Sequence, residues 1–107
     1  MKSINYDSVA DAITVEVTAK KSDVTIELTE HILIDMTNDG KLVGLEILDA
    51  SEEISKIFNR LMAKEEISQL LCQIKQEPKN EYLIQFKSPQ RNEFAAFLIP
   101  LYKSPVI

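Results

Sequence analysis

Two segments near the N-terminus alternate hydrophobic and polar residues with a period of two. Residues 12–18 (AITVEVT) and 23–29 (DVTIELT) each place three aliphatic side chains on one face and Thr or Glu on the other. This alternation predicts two antiparallel strands with one buried face. The short connection between them favours a hairpin in which Val15 lies opposite Ile26.

A second pair of strands is predicted on either side of an Asp-Gly turn. Asp39 and Gly40 form a strong two-residue turn signal, because these residues tolerate a positive φ. With that turn, the alternate apolar residues of 32–36 face those of 43–47. A three-residue loop at 29–31 keeps the apolar residues of the preceding strand on the same face.

A helix is predicted to begin at Asp49, where the sequence DASE matches a capping box. Apolar residues recur at helical spacing from Ile54 to Leu61, and again over residues 67–74, but the two stripes point in roughly opposite directions. Three interpretations remain open: two short helices, one helix between two surfaces, or a strand at 70–76. The absence of Gly and Pro in this region favours helical continuity.

The C-terminal region has the pattern of a final hairpin. Residues 81–87 (EYLIQFK) and 93–102 (EFAAFLIPLY) predict two strands, with Phe86 opposite Phe94 in the simplest register. The last strand is apolar on both faces, so each face requires cover. Pro100 lacks an amide hydrogen and therefore predicts that this strand lies at a sheet edge or a bulge.

These elements predict an α+β fold: an antiparallel β-meander of about four strands, then a helix or broken helix pair, then a C-terminal β-hairpin. A length of 107 residues with 45% hydrophobic residues can support one core, so a single domain over residues 1–107 is expected. No apolar run approaches the roughly 20 residues of a spanning helix, and no signal peptide is recognisable. We therefore expect a cytoplasmic protein without a membrane segment.

Composition narrows the possible functions. The net charge of −5 disfavours nucleic acid as a partner, because affinity for phosphate backbones comes largely from Lys and Arg. Cys72 is the only cysteine, which excludes an intrachain disulfide and a metal site of clustered thiolates. Phosphate-binding loops, nucleophile elbows and metalloprotease motifs do not occur, so no catalytic residue, metal or cofactor is predicted.

One polar cluster is a candidate site. His31, Asp35 and Glu46 fall on the outer face of the predicted third and fourth strands. His31 and Asp35 are four residues apart, about 13 Å along a strand, which is too far for the two alone to share one metal ion. A diagonal His31–Glu46 pair is feasible, either as a solvated cross-strand pair or as an acid/base site.

Two motifs resemble a known family. The pattern Tyr-Asp-x-x-x-Asp-Ala at residues 6–12, followed by Gly-Leu-Glu-Ile-Leu-Asp-Ala at residues 44–50, is similar to a small prokaryotic family called domain of unknown function 2283. The resemblance covers roughly residues 4–58, whereas residues 59–107 match no family known to us, and it implies no activity. Ser8 replaces the proline usual in the family. The motif residues, expected to serve local structure, are Tyr6, Asp7, Asp11, Gly40, Gly44, Glu46 and Asp49.

The leading hypothesis is a non-enzymatic, self-associating interaction or regulatory module, with a dimer favoured. The opposed helical stripes, the two-faced last strand and leucines on the outer sheet face, Leu42 among them, all point to surfaces that need cover. Alternatives are an antitoxin-like protein that masks a basic partner, a small-ligand-binding domain, and an enzyme using the polar cluster. The candidate interface residues are Leu33, Leu48, Phe94, Phe97 and Ile99.

Overall fold

The computed structural model describes residues 1–78 and 81–100, which form antiparallel strands, two central helices and C-terminal strands. The predicted α+β class and order of elements are confirmed. Within these ranges, no helix is both long enough and apolar enough to cross a membrane. The elements are β1 (Lys2–Ser3), β2 (Asn5–Asp7), β3 (Ala12–Glu16), β4 (Val24–Thr29), β5 (Ile32–Met36), β6 (Leu42–Ile47), α1 (Ala50–Phe58), α2 (Lys64–Ile67), β7 (Leu71–Glu77), β8 (Glu81–Ser88) and β9 (Glu93–Pro100).

The strands form two antiparallel sheets. The five-stranded sheet has the order β2-β3-β6-β5-β4, and the four-stranded sheet has the order β1-β7-β8-β9. The predicted hairpin between β3 and β4 is wrong, because β3 pairs with β6, with Val15 opposite Leu45. Alternation decides which face a strand buries but not which strand it pairs with. β6 is buried along nearly its whole length and takes the centre, whereas β4 is largely exposed and takes an edge.

The β4–β5 hairpin has the expected strand pairs but a different loop length. Ile26 lies opposite Ile34, so the apolar residues of both strands face the core. Thr29 pairs with Ile32, so the loop is one residue shorter than predicted. A β-bulge between Glu27 and Thr29 supplies the odd residue that the parity of the two strands requires.

The β5–β6 turn is one residue longer than the predicted two-residue turn. Gly40 has φ 87°, and its amide donates a hydrogen bond to the carbonyl of Thr37 at 3.0 Å. This left-handed residue matches a three-residue hairpin loop, which carries a bulge. Met36 consequently pairs with Leu42 rather than Val43. Leu42, predicted on the outer face, is therefore a core residue with 2% exposure.

The helical region is shorter than its apolar periodicity suggested. α1 ends at Phe58, and Asn59 adopts a left-handed conformation with φ 56°. Leu61, predicted to extend the buried stripe, therefore lies beyond the helix and is 93% exposed. Residues 71–77 form strand β7, the third of the three interpretations, and pair along their whole length with β8. Sheet pairing outweighs helical periodicity here, since local propensity is a weak constraint.

The C-terminal hairpin is confirmed, but its register differs from the prediction by one residue. Phe86 lies opposite Ala95 rather than Phe94. The turn has four residues instead of five and includes Asn92 at φ 52°. β9 is an edge strand, as Pro100 predicted. The predicted continuation beyond Pro100 lies outside the described residues.

One hydrophobic cluster joins the inner faces of both sheets to the helices. Tyr82 of β8 reaches across this core, where its hydroxyl oxygen accepts a hydrogen bond from the amide of Leu42 at 3.2 Å. Fully buried members of the cluster come from both sheets and both helices: Ile13, Ile34, Leu45, Ile47, Ile54, Ile67, Cys72, Ile84, Phe86 and Ile99.

Candidate functional site

The two sequence motifs meet at Asp11, which lies in the turn between β2 and β3 with φ 53°. One carboxylate oxygen, Oδ1, accepts hydrogen bonds from the hydroxyl of Tyr6 at 2.7 Å and the amide of Ser51 at 3.0 Å. The other oxygen, Oδ2, accepts the Ser51 hydroxyl at 2.6 Å. Burial alone would raise the pKa of Asp11, but these hydrogen bonds outweigh it and the pKa is lowered.

Asp11 caps helix α1 from a distant part of the chain. Its backbone carbonyl accepts the amide of Ala50 at 2.8 Å, and its side chain accepts that of Ser51. Asp49 occupies the N-cap position with φ 48° and makes no side-chain capping bond, so the predicted capping box is wrong. The first two amides of α1, those of Ala50 and Ser51, are satisfied by a residue about 40 positions earlier, whereas those of Glu52 and Glu53 bond to the carbonyl of Asp49.

His31 links the β4–β5 turn to the same helix. Its Nδ1 lies 2.8 Å from Glu53 Oε1, and its Nε2 lies 2.9 Å from Asp49 Oδ2. The hydrogen bond with Glu53 raises the pKa of His31, and the nearby charge of Asp49 adds to the effect. Because both ring nitrogens face carboxylates, the arrangement suits the doubly protonated imidazolium.

The predicted polar cluster is divided among different contacts. Asp35 accepts a hydrogen bond from the hydroxyl of Thr25 at 2.5 Å, whereas His31 binds the carboxylates at the start of α1. Glu46 lies opposite Leu33, in the expected register. Across residues 1–78 and 81–100, no group of three or more His, Cys, Asp or Glu side chains has an arrangement suited to a metal ion.

The remaining motif residues shape the backbone. Asp7 Oδ1 accepts the amides of Val9 at 3.0 Å and Ala10 at 3.1 Å, which closes the turn after β2. Gly44 lies opposite Asp35 in the sheet. A Cβ atom at Gly44 would stand 3.4 Å from the carbonyl oxygen of Val15 and 3.5 Å from Asp35 Oδ2, which are ordinary van der Waals distances.

A second polar network was not anticipated from the sequence. Arg60 forms two hydrogen bonds to Glu66, at 3.0 and 2.5 Å, and its Nε contacts both carboxylate oxygens of Glu93 at 3.1 and 3.2 Å. The hydroxyl of Ser88 also donates to Glu66, whose pKa falls to about 2 mainly through Arg60. These four residues are not placed at any spacing that would predict their contacts from the sequence. The contacts connect the start of β9 to the helical region.

The candidate interface residues divide between buried and accessible positions. Ile99 is 1% exposed, and Phe97 packs half-buried against the core with its ring centroid 6.3 Å from that of Phe86. Leu33 and Leu48 are half-buried in or beside the five-stranded sheet. The inner face of β9 thus belongs to the core.

The opposite face of β9 carries an apolar stripe. Phe94 and Leu98 are 54% and 52% exposed, and Ala96 between them is also exposed. We call these three residues the β9 outer stripe. On the adjoining strand, the half-buried Leu83 lies opposite Leu98, and the ammonium group of Lys87 lies 5.4 Å from the centre of the Phe94 ring. This is the largest group of exposed apolar side chains on one described strand.

Comparison with known proteins identifies one part of the chain. Residues 3–51 match the model of a family described as Protein of unknown function (DUF2283), which confirms the resemblance over the N-terminal half. Searches of curated proteins and of solved structures found no match. The matched segment contains all five strands of one sheet and ends at Ser51, the residue that Asp11 caps.

Proposed function

We propose that this protein is a non-enzymatic self-associating module in which strand β9 pairs with β9 of a second copy. The observation that carries the proposal is the β9 outer stripe on an edge strand with an uncharged interior. Between Glu93 and Pro100 the strand reads FAAFLI. A long apolar edge presents unpaired backbone groups and is a template for another strand.

The other three sheet edges support this assignment by contrast. β1 has two residues and β2 has three, which leaves little backbone to pair. β4 is longer, but it carries Glu27 on its exposed face and a bulge beside it. Short length, charge and bulges are the usual protections of an edge strand. β9 has eight residues, and its one charged residue, Glu93, and its one proline, Pro100, stand at its two ends.

A second copy of the chain is the occupant that fits the pattern of β9. In an antiparallel pair with Ala96 opposite its own counterpart, Phe94 of each copy lies opposite Leu98 of the other. Such a contact is closed by twofold symmetry and makes two apolar cross-strand pairs. Pro100 then falls beyond the paired stretch, where its missing amide costs no hydrogen bond.

Charge and hydrogen bonding also support an apolar contact rather than a catalytic site. Each chain carries a net charge of −5, so the charge-free interior of β9 is a place where two copies can approach with little repulsion. Asp11, His31 and Glu66 already hold elements of the fold together through side-chain contacts. Their engagement supports a structural role for these polar residues.

The test is the molar mass in solution, measured by size-exclusion chromatography with light scattering over a hundredfold range of concentration. The wild-type protein is compared with Leu98→Lys, which places a charge in the β9 outer stripe. Leu61→Lys is the matched control, because Leu61 is 93% exposed and lies between α1 and α2. We expect a dimer for the wild-type protein and for Leu61→Lys, and a monomer for Leu98→Lys.

Two results would overturn the proposal. A wild-type protein that stays monomeric throughout would mean that the edge is covered within the chain or by a different protein, as in the partner-masking alternative. A dimer that survives Leu98→Lys would place the self-interface elsewhere, and Leu33 and Leu48 would be the next residues to change.

A further inference from the structure

A cavity is lined by residues of β3 and β7 and by the N-terminal residues Met1 and Lys2. Its volume is about 330 Å³. This is at the lower end of the roughly 300–1,000 Å³ typical of small-molecule sites, which are mostly apolar with a few polar groups. Its lining includes Val15, Val17, Cys72, Ile74 and Lys2.

The walls of the cavity are largely aliphatic. Val15 is 2% exposed and Cys72 is 1% exposed, while Val17 and Ile74 are half-buried. Burial raises the pKa of the Cys72 thiol to about 11, so this wall is uncharged near neutral pH. Such walls favour a hydrocarbon group over a charged or strongly hydrated one.

Lys2 is the charged residue of the lining. Its ammonium group donates hydrogen bonds to the carbonyl of Glu16 at 2.8 Å and to that of Val17 at 3.3 Å, and Val17 is itself a lining residue. An ammonium group has three donors, so one is left for a ligand. A carboxylate placed there would meet an opposite charge and a hydrogen-bond donor.

We propose that this cavity binds a medium-length aliphatic monocarboxylate, with its chain between Val15 and Ile74 and its carboxylate on Lys2. This site is separate from the β9 outer stripe and goes beyond the proposed self-association. Ligand binding is therefore expected to be the same in Leu98→Lys as in the wild-type protein, so the two proposals fail independently.

The first test uses octanoate as the probe and measures its Kd by isothermal titration calorimetry. We expect saturable binding to the wild-type protein. In Lys2→Met we expect octanoate to bind about tenfold or more weakly and 1-octanol to bind with unchanged affinity, because only the charge has been removed. Lys20→Met is the matched control: it removes a lysine outside the lining and leaves octanoate binding intact.

The second test fills the cavity and does not depend on charge. Ile74→Phe is expected to abolish binding of both probes while the protein stays folded by circular dichroism. Should that variant not fold, the rate of Cys72 alkylation in the wild-type protein reports occupancy, since this is the only cysteine in the chain. Octanoate at saturation should slow alkylation, and should not slow it in Lys2→Met at the same concentration.

Three results would overturn the site. These are no saturable octanoate binding to the wild-type protein, equal loss of octanoate affinity in Lys2→Met and Lys20→Met, and undiminished binding in a folded Ile74→Phe protein. The first would show that the cavity does not take this class of ligand. The second would reduce the effect to overall charge, and the third would place the ligand elsewhere.

Discussion

The two sheets of this protein come from different parts of the chain and have different kinds of edge strand. All strands of the five-stranded sheet lie within residues 5–47, inside the segment that matches the family of unknown function. The four-stranded sheet takes β1 from the N-terminus and its other strands from residues 71–100. The first sheet has edges that are short, charged or bulged, whereas the second ends in β9, whose interior carries no charge. The motif residues Asp7 and Asp11 make contacts within the fold, and the strand proposed for association lies outside the segment that matches the family.

The sheets nevertheless share one core. Truncating a core residue of either sheet is expected to have the largest effect on stability and tests whether the core is shared. Phe86→Ala removes a fully buried ring from the four-stranded sheet, and Leu45→Ala truncates a buried residue of the five-stranded sheet. We expect losses of about 3–5 and 2–5 kcal/mol respectively in the free energy of unfolding, each in one cooperative transition. Urea denaturation followed by circular dichroism and by tyrosine fluorescence measures both.

The control for these core variants is Leu61→Ala, which should change stability by no more than about 0.5 kcal/mol because Leu61 is almost fully exposed. Two separate transitions, with Phe86→Ala shifting only one of them, would contradict a single core. The family-like sheet would then be an independent folding unit.

The next effect concerns the junction between the family-like sheet and α1. Asp11→Ala removes the cap of Ser51 and places a less tolerant residue at φ 53°. We expect a loss of about 2 kcal/mol in the free energy of unfolding. Asp11→Gly accepts the backbone conformation but lacks the carboxylate, so it should lose less stability than Asp11→Ala. Asp11→Asn should lose the least, because Asn tolerates a positive φ and keeps one side-chain oxygen as an acceptor. Equal stability of Asp11→Gly and wild type would show that the cap contributes nothing.

A smaller, pH-dependent effect is expected at His31. The folded-state pKa of His31 is raised above 6.5 by Glu53 and Asp49, so its stabilising contribution is complete below about pH 6.5 and is lost as the pH rises through the raised value. The stability of the wild-type protein relative to His31→Gln should therefore fall over the pH range above about 6.5. Urea midpoints across that range measure the difference. A constant difference would show that the pKa of His31 is the same in the folded and unfolded states.

Much of the fold follows from the sequence because period-two patterns identify buried faces. The faces of β3, β4 and β5 were predictable in this way, and Asp39-Gly40 marked the β5–β6 turn. Pairing partners were not predictable, because β3 could pair with β4 or with β6 and bury the same face in either case. The β5–β6 and β8–β9 turns each differ by one residue from the predicted length. These differences explain why Leu42 faces the core and why Phe86 lies opposite Ala95.

The polar contacts were harder to predict than the strands. Asp11 and Ser51 are 40 residues apart, and Arg60 and Glu93 are 33 apart, so no local rule connects them. The motif pattern did identify Asp11, but only the fold shows that it caps a helix. His31 was expected at a turn, which is correct, but its two carboxylate partners come from the start of α1.

The smallest expected effect separates folding from association at β9. Below the concentration at which the wild-type protein dissociates, Leu98→Lys should change the free energy of unfolding by less than about 0.5 kcal/mol, because Leu98 is 52% exposed and faces away from the core. Above that concentration the wild-type protein should become more stable than the variant, since association stabilises only the folded state. Urea denaturation at both concentrations measures this difference. If Leu98→Lys lost more than 1 kcal/mol in dilute solution, as roughly expected of a packed side chain, the β9 outer stripe would be covered within the monomer, and the two sheets would no longer differ in how their edges end.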